Sequence, residues 1–324
     1  MVSVIPWPGS PPNPAWSEAA DAVRSWAGRF GLLDDPERRA ILAKAQPAYV
    51  AAKLCPIAPP AVLALTAQWL TVNFVVDDLL DGEDNPYSCA TAARQLLAAL
   101  DHGTDADTQT HARADPAAYD PVYPATAELW DRTATGRSAD WCRALRGDLA
   151  DWLDSYAREA LERASGRVPP VSEYRRHRRL SSGMLVFTDL AELALGVDLP
   201  ATVRGLAVVR TLRAATAEYM GLVNDIYSVD KELASGQVHN AVCVVMHHSG
   251  AELAGAVRTV ADMAAECLRA FGHAEESLGD ALGSRGVMRC VAGYRMLMRG
   301  ALDCCSELDR YASAQSAIPG RTLS

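Results

Sequence analysis

Asn224-Asp225-Ile226-Tyr227-Ser228-Val229-Asp230-Lys231-Glu232 ends a run, Val203 to Leu233, in which apolar residues recur at three-to-four spacing. That period marks an amphipathic helix. On a 3.6-residue helix Asn224, Ser228 and Glu232 share one face, drifting by only about 80° over two turns. They make a column of hard oxygen donors. A second column lies far upstream in Asp77-Asp78-Leu79-Leu80-Asp81, where Asp77 and Asp81 project from one face and Asp78 is rotated to its side. The same periodicity recurs from Ala19 to Phe30, Val62 to Leu80 and Ala139 to Ala164. Strand-like alternation is scarce, and the abundance of Ala and Leu favours helix. Breaks fall at Pro56 to Pro60, Gly82 to Pro86, Gly166 to Pro170, Gly196 to Pro200 and Ser249-Gly250. The expectation is an all-α, single-domain bundle of roughly ten to twelve helices around a central cavity.

Composition narrows the function. The 324 residues are 49% hydrophobic, enough for one sizeable domain, here 1–324. A Pro-rich segment opens it (1–18), the polar stretch 102–124 reads as a surface loop, and 315–324 as a flexible tail. With a net charge of −9 and no long basic block, nucleic acid is not an expected partner. Eight cysteines without Cys-x-x-Cys spacing read as reduced core residues. No signal peptide is evident, and no apolar stretch is judged to reach the roughly 18 residues that span a bilayer. A cytoplasmic protein without membrane insertion is therefore expected.

Two facing columns of hard oxygens suit Mg²⁺, which takes few protein ligands and fills its remaining positions from water and substrate phosphates. An acidic protein that binds a diphosphate needs such cations. Together the two motifs resemble the aspartate-rich motif and the Asn/Ser/Glu triad of bacterial-type class I terpene synthases. Flanking residues extend the resemblance over nearly the whole chain. Trp69 lies eight residues before Asp77 (77 − 69), Gly236 and His239-Asn240 follow the triad, and Pro6-Trp7-Pro8, Asn13-Pro14, Trp26 and Phe30-Gly31-Leu32 resemble the family's opening. Arg299-Gly300 through Asp303 to Arg310-Tyr311 resembles its close.

The resemblance implies the class I terpenoid synthase fold. It also implies a Mg²⁺-dependent cyclase that ionises a linear isoprenoid diphosphate, with three ions bound beside the diphosphate. Asp77, with Asp81, would hold two ions, and Asn224, Ser228 and Glu232 the third. Asp78 would be an outer charge, while Glu83 and Asp84 are either alternative ligands or helix-ending residues. Arg178 stands 46 residues before Asn224 (224 − 178), where the family has an arginine that contacts diphosphate, and Arg179 is its rival. Arginine suits the task because its planar fork grips phosphate oxygens. Lys231, Arg310 and Tyr311 complete the diphosphate set. The helix should break at Ser181-Ser182-Gly183, with Ser182 or Gly183 presenting a carbonyl to the reacting carbon. Phe74 and Phe187 are the wall candidates for carbocations, which aromatic faces attract. Phe74 as core filler is the alternative. Asn73 and Leu297 stand where the family commonly has aromatics, which implies a wider or more polar pocket. Farnesyl diphosphate is the first expectation as substrate, with geranyl and geranylgeranyl diphosphate as alternatives. A chain-elongating prenyltransferase would want a second Asp-rich motif where the triad stands. A non-catalytic helical binding protein would be expected to have lost ligands. Homodimers are common in this fold, so a homodimer is among the expected partners.

Overall fold

The computed structural model describes residues 5–81, 83–102, 120–234, 236–278 and 285–308. Every regular element among them is a helix: α1 (Trp16–Arg29), α2 (Pro36–Ala45), α3 (Pro47–Leu54), α4 (Pro60–Leu80), α5 (Pro86–His102), α6 (Val122–Ala134), α7 (Ala139–Ser165), α8 (Val171–Ser181), α9 (Met184–Ala194), α10 (Ala201–Arg204), α11 (Ala207–Ala234), α12 (Ala241–Ser249), α13 (Leu253–Glu276) and α14 (Arg285–Glu307). These fourteen exceed the ten to twelve expected because local punctuation splits longer periodic runs. Gln46, at φ +48°, ends α2 and starts α3, and Gly183, at φ +68°, separates α8 from α9. Side-chain caps mark three helix starts. Asp35 accepts from the amides of Glu37 and Arg38, Ser138 from Trp141, and Asn240 from Val242, each satisfying a donor with no partner inside its helix.

Helix α11 is the central strut, buried along most of its length from Val209 to Val229. Around it pack α8, α9, α12, α13 and α14, while α4 contacts α1, α3, α6 and α9 on the far side of the cavity. At Gly300 of α14 a Cβ would fall 2.3 Å from the Lys53 carbonyl oxygen, so only glycine lets α14 approach α3 this closely.

Two expectations need correction. The 21-residue α4 is long and apolar enough to cross a membrane, contrary to the reading that no stretch was. More than half of its apolar span is buried, with Leu63, Trp69, Val72 and Val76 in the core. A helix enclosed on most sides has no need of a polar face, which accounts for the composition. The stretch 102–124 is not all loop either. His102 closes α5, residues 103–119 lie outside the described residues, and Val122-Tyr123-Pro124 form the first turn of α6 with Val122 fully buried. Asp120 accepts from the Val122 amide at 2.8 Å, and proline is tolerated in a first turn because no intrahelical N–H bond is lost there. In the Pro-rich opening, Asn13 is buried and donates to the carbonyls of Cys55 and Ala58, strapping the segment onto the α3–α4 corner. The 315–324 tail lies outside the described residues. All eight cysteines are free thiols, six of them buried.

A second polar cluster lies within the apolar core. Asp189 and Glu192 of α9, both fully buried, meet Arg204 of α10 and Arg213 of α11. Arg213 also reaches Asp148 of α7, and the Tyr294 hydroxyl of α14 donates to Glu192 Oε1 at 3.0 Å. Charges this deep are tolerable only when paired. The cluster ties five helices together and fixes the C-terminal half of α9, leaving the Gly183 break at its other end.

Candidate active site

A cavity of about 130 Å³ opens between α4, α7, the α8–α9 break, α11 and a wall made by α2, α3 and α14. Its polar side carries Asn73 and Asp77 from α4, Arg178, Ser181 and Ser182 from α8, and Asn224 from α11. Val50, Leu54, Ala301, Cys304, Cys305 and Leu308 contribute apolar lining.

Of the first column, Asp77 lines this cavity, and its Oδ1 accepts from the Tyr156 hydroxyl at 3.1 Å. Asp78 is exposed, as its position on the helix requires. Asp81 ends α4, and its carboxyl is pushed up to about 7, first by burial and then by the charges of Asp77, Glu159 and Glu232. Glu83 and Asp84 take the helix-ending alternative. Glu83 accepts from the Asn85 amide at 2.8 Å, and Asp84 pairs with Arg163 at 3.3 Å.

In the second column Asn224 lines the cavity, Ser228 Oγ donates to the Asn224 carbonyl at 2.8 Å, and Glu232 Oε2 accepts from Asn240 Nδ2 at 2.7 Å. Burial, then the neighbouring Asp225, raises the Glu232 carboxyl. Asn240 also donates to the Asp225 carbonyl, so one buried amide links the α12 cap to the end of the column.

The two arginines separate cleanly. Arg178 Nη2 lies 3.1 Å from Asn224 Oδ1 and 2.8 Å from Asp225 Oδ1, inside the cavity. Arg179 Nε instead binds Glu218 at 2.6 Å, on the face that Arg175 shares with Glu218 and Glu266. Although burial opposes its charge, Asp225 beside it holds the Arg178 guanidinium well above its ordinary range. Room for it depends on Gly221, where a Cβ would stand 3.1 Å from Arg178 Cγ and 3.3 Å from Ser182 Cβ. At Gly183 a Cβ would meet Asn73 Nδ2 at 3.1 Å and the Trp152 indole nitrogen at 3.2 Å. The break therefore packs directly against the cavity lining.

Other expected residues fall elsewhere. Phe74 lines the cavity, but Phe187 is buried in the core and does not. It follows the break by one helical turn, and the turn direction sends it inward between helices. Lys231 is exposed, because the residue before Glu232 faces away from the ligand column. Asn73 does line the cavity, whereas Leu297 is fully buried outside it. Arg310 and Tyr311 lie outside the described residues.

Sequence reasoning missed one face of α7. Trp152 lines the cavity, Tyr156 meets Asp77, Glu159 Oε1 lies 3.0 Å from His177 Nε2, and Arg163 donates to the Glu83 carbonyl at 2.7 Å. Burial would raise Glu159, but His177 and then His239 outweigh it and hold the carboxyl near 2, so it is ionised. Their four-three-four spacing was a signal, but it reads equally as a core face. Cys304 and Cys305 are buried core thiols, as expected, and in addition line the cavity.

The donor set fits a hard divalent cation. Every candidate ligand is oxygen, and burial, then repulsion from Asp77, Glu159 and Glu232, raises Asp81, a cost that a bound cation would offset. Among the described residues no three His, Cys, Asp or Glu side chains converge to hold a metal by themselves.

Residues 68–270 match the family model described as terpene synthase family 2, C-terminal metal binding. The chain belongs to this terpene synthase family. Both columns and Arg178 lie inside the matched region. This terpene synthase is 31% identical over 322 residues to (2Z,6E)-hedycaryol synthase of Kitasatospora setae, covering 95% of this chain and 92% of that one. It is 33% identical over 314 residues to isoafricanol synthase of Streptomyces violaceusniger, covering 92% and 81%. Its fold matches the solved structure of hedycaryol synthase in complex with nerolidol with a TM-score of 0.78, at 28% identity, over 94% of this chain and 98% of that one. The chain is accordingly a metal-binding enzyme with the class I terpenoid synthase fold.

Proposed function

We propose that this terpene synthase, acting as one domain over residues 1–324, converts farnesyl diphosphate with Mg²⁺ into a cyclic sesquiterpene hydrocarbon or alcohol, releasing diphosphate. The observation that carries the reading is the meeting of Asp77, Arg178 and Asn224, from three helices, in the lining of one cavity whose remaining lining is largely apolar. The relatives' sesquiterpene products support the fifteen-carbon substrate.

Diphosphate leaves only if the charge developing on it is met as the C–O bond breaks. Bound Mg²⁺, three ions in this reading, supplies that Lewis acidity. Asp77 with Asp81 on one side, and Asn224, Ser228 and Glu232 on the other, would hold the ions. Arg178 rather than Arg179 contacts the diphosphate, since only Arg178 enters the cavity. Ser182 or Gly183, at the break, turns a carbonyl toward the reacting carbon and favours positive charge there. Phe74 and Trp152 offer aromatic faces to the migrating cation. The wall of Val50, Leu54 and Leu308 folds the isoprenoid chain and keeps out water that would trap the cation early.

The test is gas chromatography with mass spectrometry of purified protein incubated with geranyl, farnesyl or geranylgeranyl diphosphate, each with and without Mg²⁺. A Mg²⁺-dependent cyclic product from farnesyl diphosphate is expected. Product from another chain length alone would overturn the substrate assignment. Product that requires added isopentenyl diphosphate would mean a prenyltransferase.

A further inference from the structure

Trp152, Tyr156, Glu159 and Arg163 form one continuous face of α7, and each touches a different part of the catalytic machinery. Trp152 packs at the Gly183 break, Glu159 at His177 beside Arg178, and Arg163 at the chain just beyond Asp81. Tyr156 alone among them reaches a candidate metal ligand, donating its hydroxyl to Asp77 Oδ1 at 3.1 Å.

We propose that Tyr156 is a positioning residue that fixes the Asp77 carboxylate for metal. The inference rests on the reading of Asp77 as a metal ligand and goes beyond it, since that reading assigns Tyr156 no role. An aspartate has two side-chain torsions, and its last one is broad and roughly two-fold. A donor committed to Oδ1 narrows that torsion and with it the directions in which the carboxylate can present its oxygens to a cation. Tyr156 can act as such a clamp because it cannot easily move. It is only 3% exposed, and its ring packs edge-on against Trp152, with centroids 6.0 Å apart and planes at 65°. Trp152 is itself wedged into the space that a side chain at Gly183 would need. The carboxylate on α4 is thus referenced through two rings on α7 to the helix break. Outer partners that orient metal-binding side chains are commonly worth 10–100-fold in metal affinity.

Tyr156→Phe removes the hydroxyl and keeps the ring. Mn²⁺ binding to the full chain is followed by electron paramagnetic resonance with inorganic diphosphate present, so that no turnover is needed. In parallel, turnover of farnesyl diphosphate is measured across Mg²⁺ concentrations. The expected result is a shift of about 10–100-fold to higher metal in both half-saturation points, with kcat at saturating Mg²⁺ nearly unchanged. Unaltered metal curves overturn the proposal, and so does a lower kcat together with a lower thermal midpoint at every metal concentration, which is the signature of a packing role. Tyr156→Leu, which removes ring and hydroxyl together, is measured alongside. Should Tyr156→Phe fail to fold while Tyr156→Leu folds with unaltered metal curves, the proposal is likewise overturned. Wild-type protein that binds no Mn²⁺ with diphosphate would instead sink the assignment of Asp77 itself.

Discussion

The division of labour between Arg178 and Arg179 shows how much one residue of register decides. Adjacent helix positions differ by about 100°, which sends one guanidinium to Asn224 and the other to Glu218. Arg178→Ala should lower turnover by about 10²-fold or more, the scale on which preorganised charge acts in water-excluded sites. Arg179→Ala should lose little turnover, because its partner Glu218 keeps Arg175. Equal, mild losses in side-by-side kinetics would count against Arg178. Asp77→Asn and Asn224→Ala should each cut turnover by a similar factor or more while circular dichroism stays unchanged, since partly exposed ligand columns contribute little to the core. Near-normal turnover of either variant at limiting Mg²⁺ would remove that column from the site. None of these pairings could be read from sequence, because four arginines in five positions offer every direction at once.

At the scale of elements, α9 is clamped at one end and begins at the Gly183 break at the other. The clamp is the cluster of Asp148, Asp189, Glu192, Arg204 and Arg213. Burial, then the charge of Asp189, pushes the Asp148 carboxyl from 3.8 up to about 8 against the pull of Arg213. A carboxyl raised in the folded state keeps its proton where the unfolded chain has released it. Its stabilising effect is complete below pH 3.8 and is lost as pH rises toward about 8. Asp148→Asn mimics the protonated form at every pH. Urea unfolding of the variant and the wild type across pH 4 to 8 should therefore show the variant gaining stability relative to wild type as pH rises. A constant difference would show that Asp148 ionises normally. Helix boundaries were largely legible from proline and glycine. The start of α6 was not, since Asp-Pro-Val-Tyr-Pro carries loop chemistry and becomes helical only because Asp120 caps it and Val122 finds a core.

For the whole molecule, the fold and the metal chemistry are separable. The bundle is held by one extended apolar core and by the buried ion cluster on α9. Metal therefore contributes little to folding in the absence of diphosphate. Treatment with a chelator should abolish turnover and leave the thermal unfolding midpoint where it was, and readdition of Mg²⁺ should restore activity. A large fall in the midpoint on chelation would mean that an ion is built into the fold.

The sequence by itself determined the helical class and the two columns of oxygen donors, because periodicity along one helix is a local property that three or four residues suffice to express. It also carried the family, through motifs whose spacing is rigid within single helices. What only the tertiary structure decided is which faces meet. The column on α4 and the column on α11 lie more than 140 residues apart (224 − 77 = 147), and the face of α7 that completes their surroundings looks like any amphipathic stripe. Phe187 and Lys231 fell away, and Trp152, Tyr156, Cys304 and Cys305 entered, for one reason. A residue's place on its own helix follows from 3.6 residues per turn, but its neighbours follow from how the helices pack, and no local pattern encodes that.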